Sequence, residues 1–472
     1  MKHHYSKLLV VLLALSLTAV MTACGAKTTE REVGQTTANG ATADVSPSTT
    51  NTDLFTERDL DPSYDEATTI DLSKESGSTV TIEEAGTYVL KGTYDGQIVV
   101  KAGDKDKVQL VLDGVTLTNS KSAAIYVQNA DKVFLTLADG KENTITCTAP
   151  LSDKDAETGD KVDGAVFSKD TLVLNGSGTL SVQCENGHGI VSKDDLKVTG
   201  GTLNVQAAKK TLSANDSVRI GAGTLTLNAG TEGIESKEIY LVGGDLDITA
   251  KDDGINAADG DSTAEIRDSQ SALLEIRGGT ITVDAGGDGL DSNGTMKVSG
   301  GTTYVSGSTN GGNGAIDCDN ATITGGTVVA ASAAGMDVNF GEDSTQCSML
   351  VRFDSTVRGG TGVVLKDSDG KTILSFTPAK DYQSVVLSSG DIRTGETYTL
   401  TAGDQSQEVE MTETIYGTGS QMGGPGGFGG IQGEPGGQRP DGSGSYGDFG
   451  GRPGENSEGE RPDTQSSATQ TA

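Results

Sequence analysis

The sequence predicts an all-β fold, a right-handed parallel β-helix (solenoid) with a small antiparallel β cap at its C-terminal end. Three observations predict it. Runs in which Thr, Val, Ile and Leu alternate with polar residues fill most of the chain, and period-two alternation marks strands with one apolar face. Glycine is abundant, at 67 of 472 residues, and punctuates those runs as turns do. The runs also recur. A glycine ahead of TL, DL, TI, TT or TV stands at Gly178, Gly201, Gly223, Gly244, Gly279, Gly301 and Gly326, mostly about 22 residues apart. The one long step, from Gly244 to Gly279, carries the insertion ADGDSTAEIRDSQS. A single repeat of this size cannot bury its apolar face, but stacked coils can. The crossover rule for parallel strands supplies the right hand.

The elements follow in order. Residues 1–24 pair Lys2 and Lys7 with an apolar run from Leu8 to Val20 that is too short to span a bilayer, and end in MTAC. This reads as a lipoprotein signal peptide whose Cys24 is lipidated and anchors the chain to the outer, extracellular face of a bacterial membrane. Residues 25–52 are Thr, Ala and Ser without apolar periodicity, a disordered tether. Residues 53–340 carry the strand pattern of the solenoid, first as TVTIEE, TYVLKG, QIVVKA and VFLTLADG, then in the sharper repeat. Over 341–416 the rhythm changes to MLVRFDSTV, TGVVLKDSDGKTILSFTP and ETYTLTAGD, where SDGK between alternating runs is a hairpin signal. This segment is expected to cover the last coil, whose open end would otherwise expose unpaired edges. Residues 417–472 are Gly- and Pro-rich without a three-residue period, a disordered tail.

Charge restricts the partners. A formal charge of -32, from 67 acidic against 35 basic residues, repels nucleic acid and favours cations. The chain is expected to be monomeric. Past Cys24 the cysteines are Cys147, Cys184, Cys318 and Cys347, in no zinc framework. Cys147 and Cys184 end equivalent strands of neighbouring repeats, so either a disulfide or a buried stack of free thiols is expected there.

One unit recurs at a fixed point of the repeat: acid-Gly-aliphatic-acid. It reads Glu232-Gly233-Ile234-Glu235, then Asp252-Asp253-Gly254-Ile255-Asn256, then Asp288-Gly289-Leu290-Asp291, and continues in part through Asp317 and Asp337. Asp-Gly and Glu-Gly make turns, which accounts for the residue before glycine. It does not account for the second acid. Stacking would set these groups about 4.8 Å apart, where two carboxylates repel by roughly 3 kcal/mol at an effective dielectric near 20 and under 1 kcal/mol in water. A partly buried column therefore calls for a cation, and calcium accepts such an all-oxygen set. The candidate metal ligands are Glu232, Glu235, Asp252, Asp253, Asn256, Asp288, Asp291, Asp317 and Asp337; solvated turns without metal are the alternative. Lys169, Lys193 and Lys237 recur just after the corner and are candidates to read sugar carboxylates, against a reading as solvated lysines beside aspartates.

The stretches FSKDTLVLNGSGTLSV, GHGIVSKDDLKVTGGTLNV and GETYTLTAGD, with the coils between them, resemble the calcium-binding carbohydrate-binding domain of bacterial surface proteins, over roughly residues 60–405. The resemblance implies a β-helix similar to the polysaccharide lyases, bound calcium, and affinity for acidic or cellulose-like plant polysaccharide without established catalysis. KKTLSANDSVRI departs from the pattern, with Lys210-Thr211-Leu212 in place of the acidic unit, which leaves calcium at that coil in doubt. The absence of Trp argues against stacking on flat crystalline surfaces and favours a charged or calcium-bridged glycan. The alternative function is a calcium-dependent, pectate-type lyase, with Lys193 as the base that removes a proton α to a uronate carboxyl. A structural adhesin would bind no glycan.

Overall fold

The computed structural model describes residues 53–150, 161–259 and 272–418. Most of them belong to strands, and helix is confined to two single turns. A parallel β-solenoid of about 10 turns is followed by a separate small antiparallel sheet, as the alternating pattern predicts.

Register shows how the repeat builds the stack. Along one face Val166, Ile190, Leu212, Ile234, Ile255, Leu290 and Ile316 are successive partners, one per coil. All are fully or almost fully buried. Because side chains alternate across a strand, the next residue in each coil points outward. Phe167, Val191, Ser213, Glu235, Asn256, Asp291 and Asp317 thus form one outward column.

The marker glycines bend the chain from one face to the next. Gly201, Gly223, Gly244, Gly279, Gly301 and Gly326 sit within long strands at φ from +79° to +110°, where a side chain would be strained. Register shifts fall at the same points, as between Val198 and Thr202. Beyond the bend Thr202–Ala207 pairs in register with Thr224–Ala229.

Cys147 and Cys184 are direct register partners on adjacent coils and are free, buried thiols. Cys318 and Cys347 are also free and buried.

At the C-terminal end Tyr382–Ser388 pairs antiparallel with the last coil strand, Ile316–Ser332, and with Ser348–Val357. Val363–Asp367 and Thr372–Phe376 form the hairpin announced by SDGK, and Thr397–Ala402 with Gln405–Glu410 complete a four-stranded sheet. This sheet has its own core, including Val363, Leu365, Tyr398, Leu400 and Val409.

The segment at 53–64, expected to belong to the coils, does not. The first solenoid strand is Thr68–Asp71. Ahead of it the chain forms a strap over the outer surface, with one helical turn, Glu57–Leu60, capped by Thr56 in a reciprocal Thr56–Asp59 capping box. The lipoprotein signal with Cys24, the tether, residues 260–271 of the insertion and the Gly/Pro-rich tail beyond residue 418 lie outside the described residues.

Candidate functional site

The acidic unit owes its central glycine to the coil spacing. A Cβ on Gly233 would stand 2.4 Å from Gly254 O, one on Gly254 2.6 Å from Gly289 O and 2.2 Å from Val283 Cγ1, and one on Gly289 2.5 Å from Ala315 O. Only glycine lets the backbones of successive corners approach so closely. The residue before glycine has a structural task as well. Asp253 Oδ1 accepts from Asp288 N at 2.7 Å, and Asp288 Oδ1 accepts from Gly314 N at 2.5 Å, each reaching the next coil. Turn chemistry thus does part of the work.

It does not neutralise the charge. Burial first, and then the charges of Asp252, Glu232 and Asp317, push Asp253 up to about 6 against the backbone bond that opposes them. Asp288 is likewise pushed up to about 6, by burial and then by Asp317, Asp253 and Asp252. Asp291 is pushed up to about 8, by burial and then by Asp253, Asp288, Asp317 and Asp319. Asp317 is raised by burial and by Asp319. Carboxylates from successive coils feel one another here. In addition, Glu232 Oε2, Asn256 Oδ1, Thr231 Oγ1 and Ser236 Oγ are buried without a hydrogen-bond partner. Buried oxygens left unpaired are costly, and those of Glu232 and Asn256 belong to the acidic unit itself.

The donor set is all oxygen, from carboxylates and one amide, which suits calcium rather than zinc. As the side chains stand, no three His, Cys, Asp or Glu groups among the described residues converge on one point. Rotation of these acids would be needed to close a coordination shell.

The structure distributes the remaining candidates differently. Glu235 heads the outward column, but the Lys210 ammonium is paired with it. The departing coil therefore places its own cation where the column begins. Asp337 lies outside the column altogether. It is buried at the cap, bound by Arg352 at 2.6 and 2.7 Å and by Ser384. Burial acts to raise its carboxyl, and the bonds from Arg352 and Ser384 outweigh it, so the group is held below the usual carboxylate range. Its assignment as a metal ligand is corrected: the chain leaves the solenoid after Ser332, and the Gly-aliphatic-acid pattern at Asp337 serves an ion pair.

Among the lysines, Lys237 is paired with Asp259 at 3.7 Å. Lys193 lies over the Phe167 ring at 5.6 Å, on the coil whose outward residue is Val191. Lys169 follows the strand one coil earlier, Gly164–Ser168. His188, which interrupts the ladder in NGHGIVS and reads in the sequence as a coil-surface residue, is instead largely buried in a group that gathers nearby. His188 Nε2 lies 3.8 Å from Asp163, Lys161 lies 3.7 Å from the same carboxylate, and Lys210 N donates to His188 Nδ1 at 3.4 Å. Burial, and then the charges of Lys210 and Lys209 and of Lys161, push His188 down to about 4 against the pull of Asp163, so the ring is neutral near pH 7. The corner is thus basic on the upper coils and acidic on the lower ones. The signal for this was present in the doubled lysine of KKTL, read only as a departure.

A repeat-built surface with a charged, oxygen-rich corner defines a class of protein that binds extended ligands along its stack. The chain belongs to the family of carbohydrate-binding domain-containing proteins, whose model matches residues 76–335. A carbohydrate-binding domain-containing protein of Acetivibrio thermocellus is 35% identical over 203 residues, 43% of this chain and 65% of that relative. The match therefore spans just under two thirds of the relative's length. A solved structure described as the polysaccharide lyase-like protein from C. thermocellum, gadolinium derivative, is 28% identical, with a TM-score of 0.41, covering 55% of this chain and 96% of that one.

Proposed function

We propose that this carbohydrate-binding protein is calcium-dependent, takes an acidic polysaccharide, and acts without catalysis at the outer face of the cell membrane, held there by lipid on Cys24. The observation that carries the reading is the in-register column of Asn256, Asp291 and Asp317, with Asp253 and Asp288 joined coil to coil beside it and the unpaired oxygens of Glu232 and Asn256 among them. Adjacent coils stand about 4.8 Å apart, so a cation midway would lie about 2.4 Å from an oxygen on each, within calcium's range of about 2.3–2.6 Å. Asp252, Asp253, Asn256, Asp288, Asp291 and Asp317 would hold such ions. Calcium neutralises the column and offers open coordination positions to glycan carboxylates. The lysines above, Lys193 with Lys161 and Lys209, extend the same polyanion by direct charge contact.

The lyase alternative has less support. Lys193 stands three coils from Asn256 in the register, about 14 Å away along the stack. One α-proton could not touch that base while its carboxylate sits on the acidic coils. In the test, purified protein is stripped with chelator and retitrated with calcium, then run through gels containing polygalacturonate while ultraviolet absorbance is followed for unsaturated product. Calcium-dependent retardation without absorbance change is expected. Retardation indifferent to calcium would refute the metal role, and rising absorbance would restore the lyase.

A further inference from the structure

The strap at 53–64 lies in a trough on a second face of the solenoid. Down its centre run Gln109, Phe134, Val173, Lys197, Arg219, Tyr240 and Glu275, register partners on seven successive strands. That is a path of about 29 Å. Lys132 and Arg277 flank it. In a chain of charge -32, four cations, two aromatic rings and the amides of Gln109 and Asn175 are collected on one strip, where Asp195 also pairs with Arg219 and Lys197 and Glu275 with Arg277.

The strap meets this strip with oxygens. Fully buried Asp59 is bound by Lys132 at 2.7 Å and by Lys197 at 3.3 Å. Thr199 and Asn175 donate to Asp59 O, Arg219 donates to Leu54 O at 3.1 Å, and Asp53 is paired with Arg277 at 3.2 Å. Arg58 and Lys132 lie over the Phe134 ring, and Arg219 and Arg277 over the Tyr240 ring. Its apolar hold rests on two side chains: Leu54 and Phe55 are buried against Val242 and Tyr240, while Leu60 and Tyr64 are exposed.

Two facts separate trough from strap. The family's matched residues, 76–335, contain every residue of the trough and none of the strap. And the strap is held chiefly by carboxylate and carbonyl oxygens on cations and amides, contacts that another polyanion can replace group for group, whereas an apolar clasp could not be exchanged in this way.

We propose that the trough is a second polysaccharide site of this domain, for an acidic glycan lying along the solenoid axis, and that residues 53–64 occupy it as a displaceable stand-in for that chain. This rests on the reading of the ligand as an acidic polysaccharide, but not on calcium. Uronate carboxylates would take the places of Asp59 and Asp53, and ring hydroxyls those of the strap carbonyls. The covalently joined strap competes at an effective concentration in the millimolar range, so only a multivalent polymer displaces it, and short oligosaccharides do not.

The test is run in excess chelator, which silences the acidic corner. Hydrogen exchange of the full chain is measured with and without polygalacturonate. Amides of 54–64 are expected to exchange at least tenfold faster with the polymer, while trough strands keep their protection; unchanged exchange overturns the proposal. A protease site placed at exposed Asp65–Glu66, with Phe55→Ala to loosen the freed strap, gives a second arm. The cut protein is expected to bind polygalacturonate about tenfold more tightly than the uncut one, and Arg219→Ala in the cut form to abolish the gain. Cut protein that melts as before and gains nothing refutes the site. Cut protein that unfolds identifies the strap as a structural clasp and refutes it equally. Calcium-dependent retention of the uncut protein, measured separately, reports on the acidic corner alone.

Discussion

Two carboxylates of this molecule invert what burial alone would give. Asp59, under the strap, is fully enclosed, yet its carboxyl is held below the usual range. Burial acts to raise it, and the hydrogen bond from Lys132, the Thr56 N–H and the charge of Lys197 outweigh that effect. Asp291, at the acidic corner, keeps some exposure and is pushed up to about 8. There burial and four neighbouring carboxylates act in the same direction. The supply of positive charge, not depth, decides the state of each group. One face brings its own cations, and at the other the charges acting on Asp291 are all acidic.

The largest way to break the comparison is at the strap. Asp59→Ala leaves Lys132 and Lys197 with an unpaired buried charge and is expected to cost about 3–5 kcal/mol, read as a lower urea midpoint. A change below about 1 kcal/mol would mean that the pairs are solvated in solution. At the corner the sign reverses. In chelator, Asp291→Asn removes repulsion and is expected to stabilise by roughly 1–3 kcal/mol once solvent screening is allowed for. With calcium at about 100 times its dissociation constant, wild type should gain about 2.7 kcal/mol and Asp291→Asn clearly less. A variant that responds to calcium as wild type does would remove Asp291 from the metal site.

pH sharpens the contrast. Asp253, Asp288 and Asp291 titrate higher in the folded chain than in the unfolded one, so in chelator their contribution is full below about pH 4 and is lost as pH rises towards 8. Asp59 and Asp337 titrate lower when folded, so theirs is present above about pH 4 and lost as pH falls through their folded values. Metal-free protein should therefore melt highest near pH 4, where the two contributions cross, and calcium should abolish the alkaline decline. A flat profile from pH 5 to 8 without metal would contradict the crowding at the corner. Next comes Gly254→Ala, which forces a methyl group against Gly289 O and Val283 and should cost about 1–3 kcal/mol. Smallest is Lys193→Ala, which removes the contact with Phe167 and should cost about 0.5–1 kcal/mol in stability, while weakening polygalacturonate retention measurably.

Much of this was legible in the residues because the solenoid copies sequence neighbours into spatial neighbours. The marker glycines announced the bends that Gly201, Gly223 and Gly244 make at positive φ, since only that residue tolerates the turn. The acid column was legible for the same reason: equal steps along the chain put Asn256 beside Asp291 and Asp291 beside Asp317. Asp337 shows where the rule ends. It continues the motif in sequence, but the coil it would extend has already given way to the cap, and Arg352 takes it. Lys210 was misread because a break in a motif looks like a loss, when here it brings a cation to Glu235.

The sequence by itself determined the strand period, the turns, and which side chains face in or out, because these follow from backbone sterics and from polarity alternating over a few residues. Only the tertiary structure decided which buried charges are answered. Asp59 meets Lys197 across 138 residues and Asp337 meets Arg352 outside the repeat, whereas the charges that act on Asp291 are all carboxylates. Electrostatic energy depends on distances through space, and those distances exist only once the chain has closed on itself.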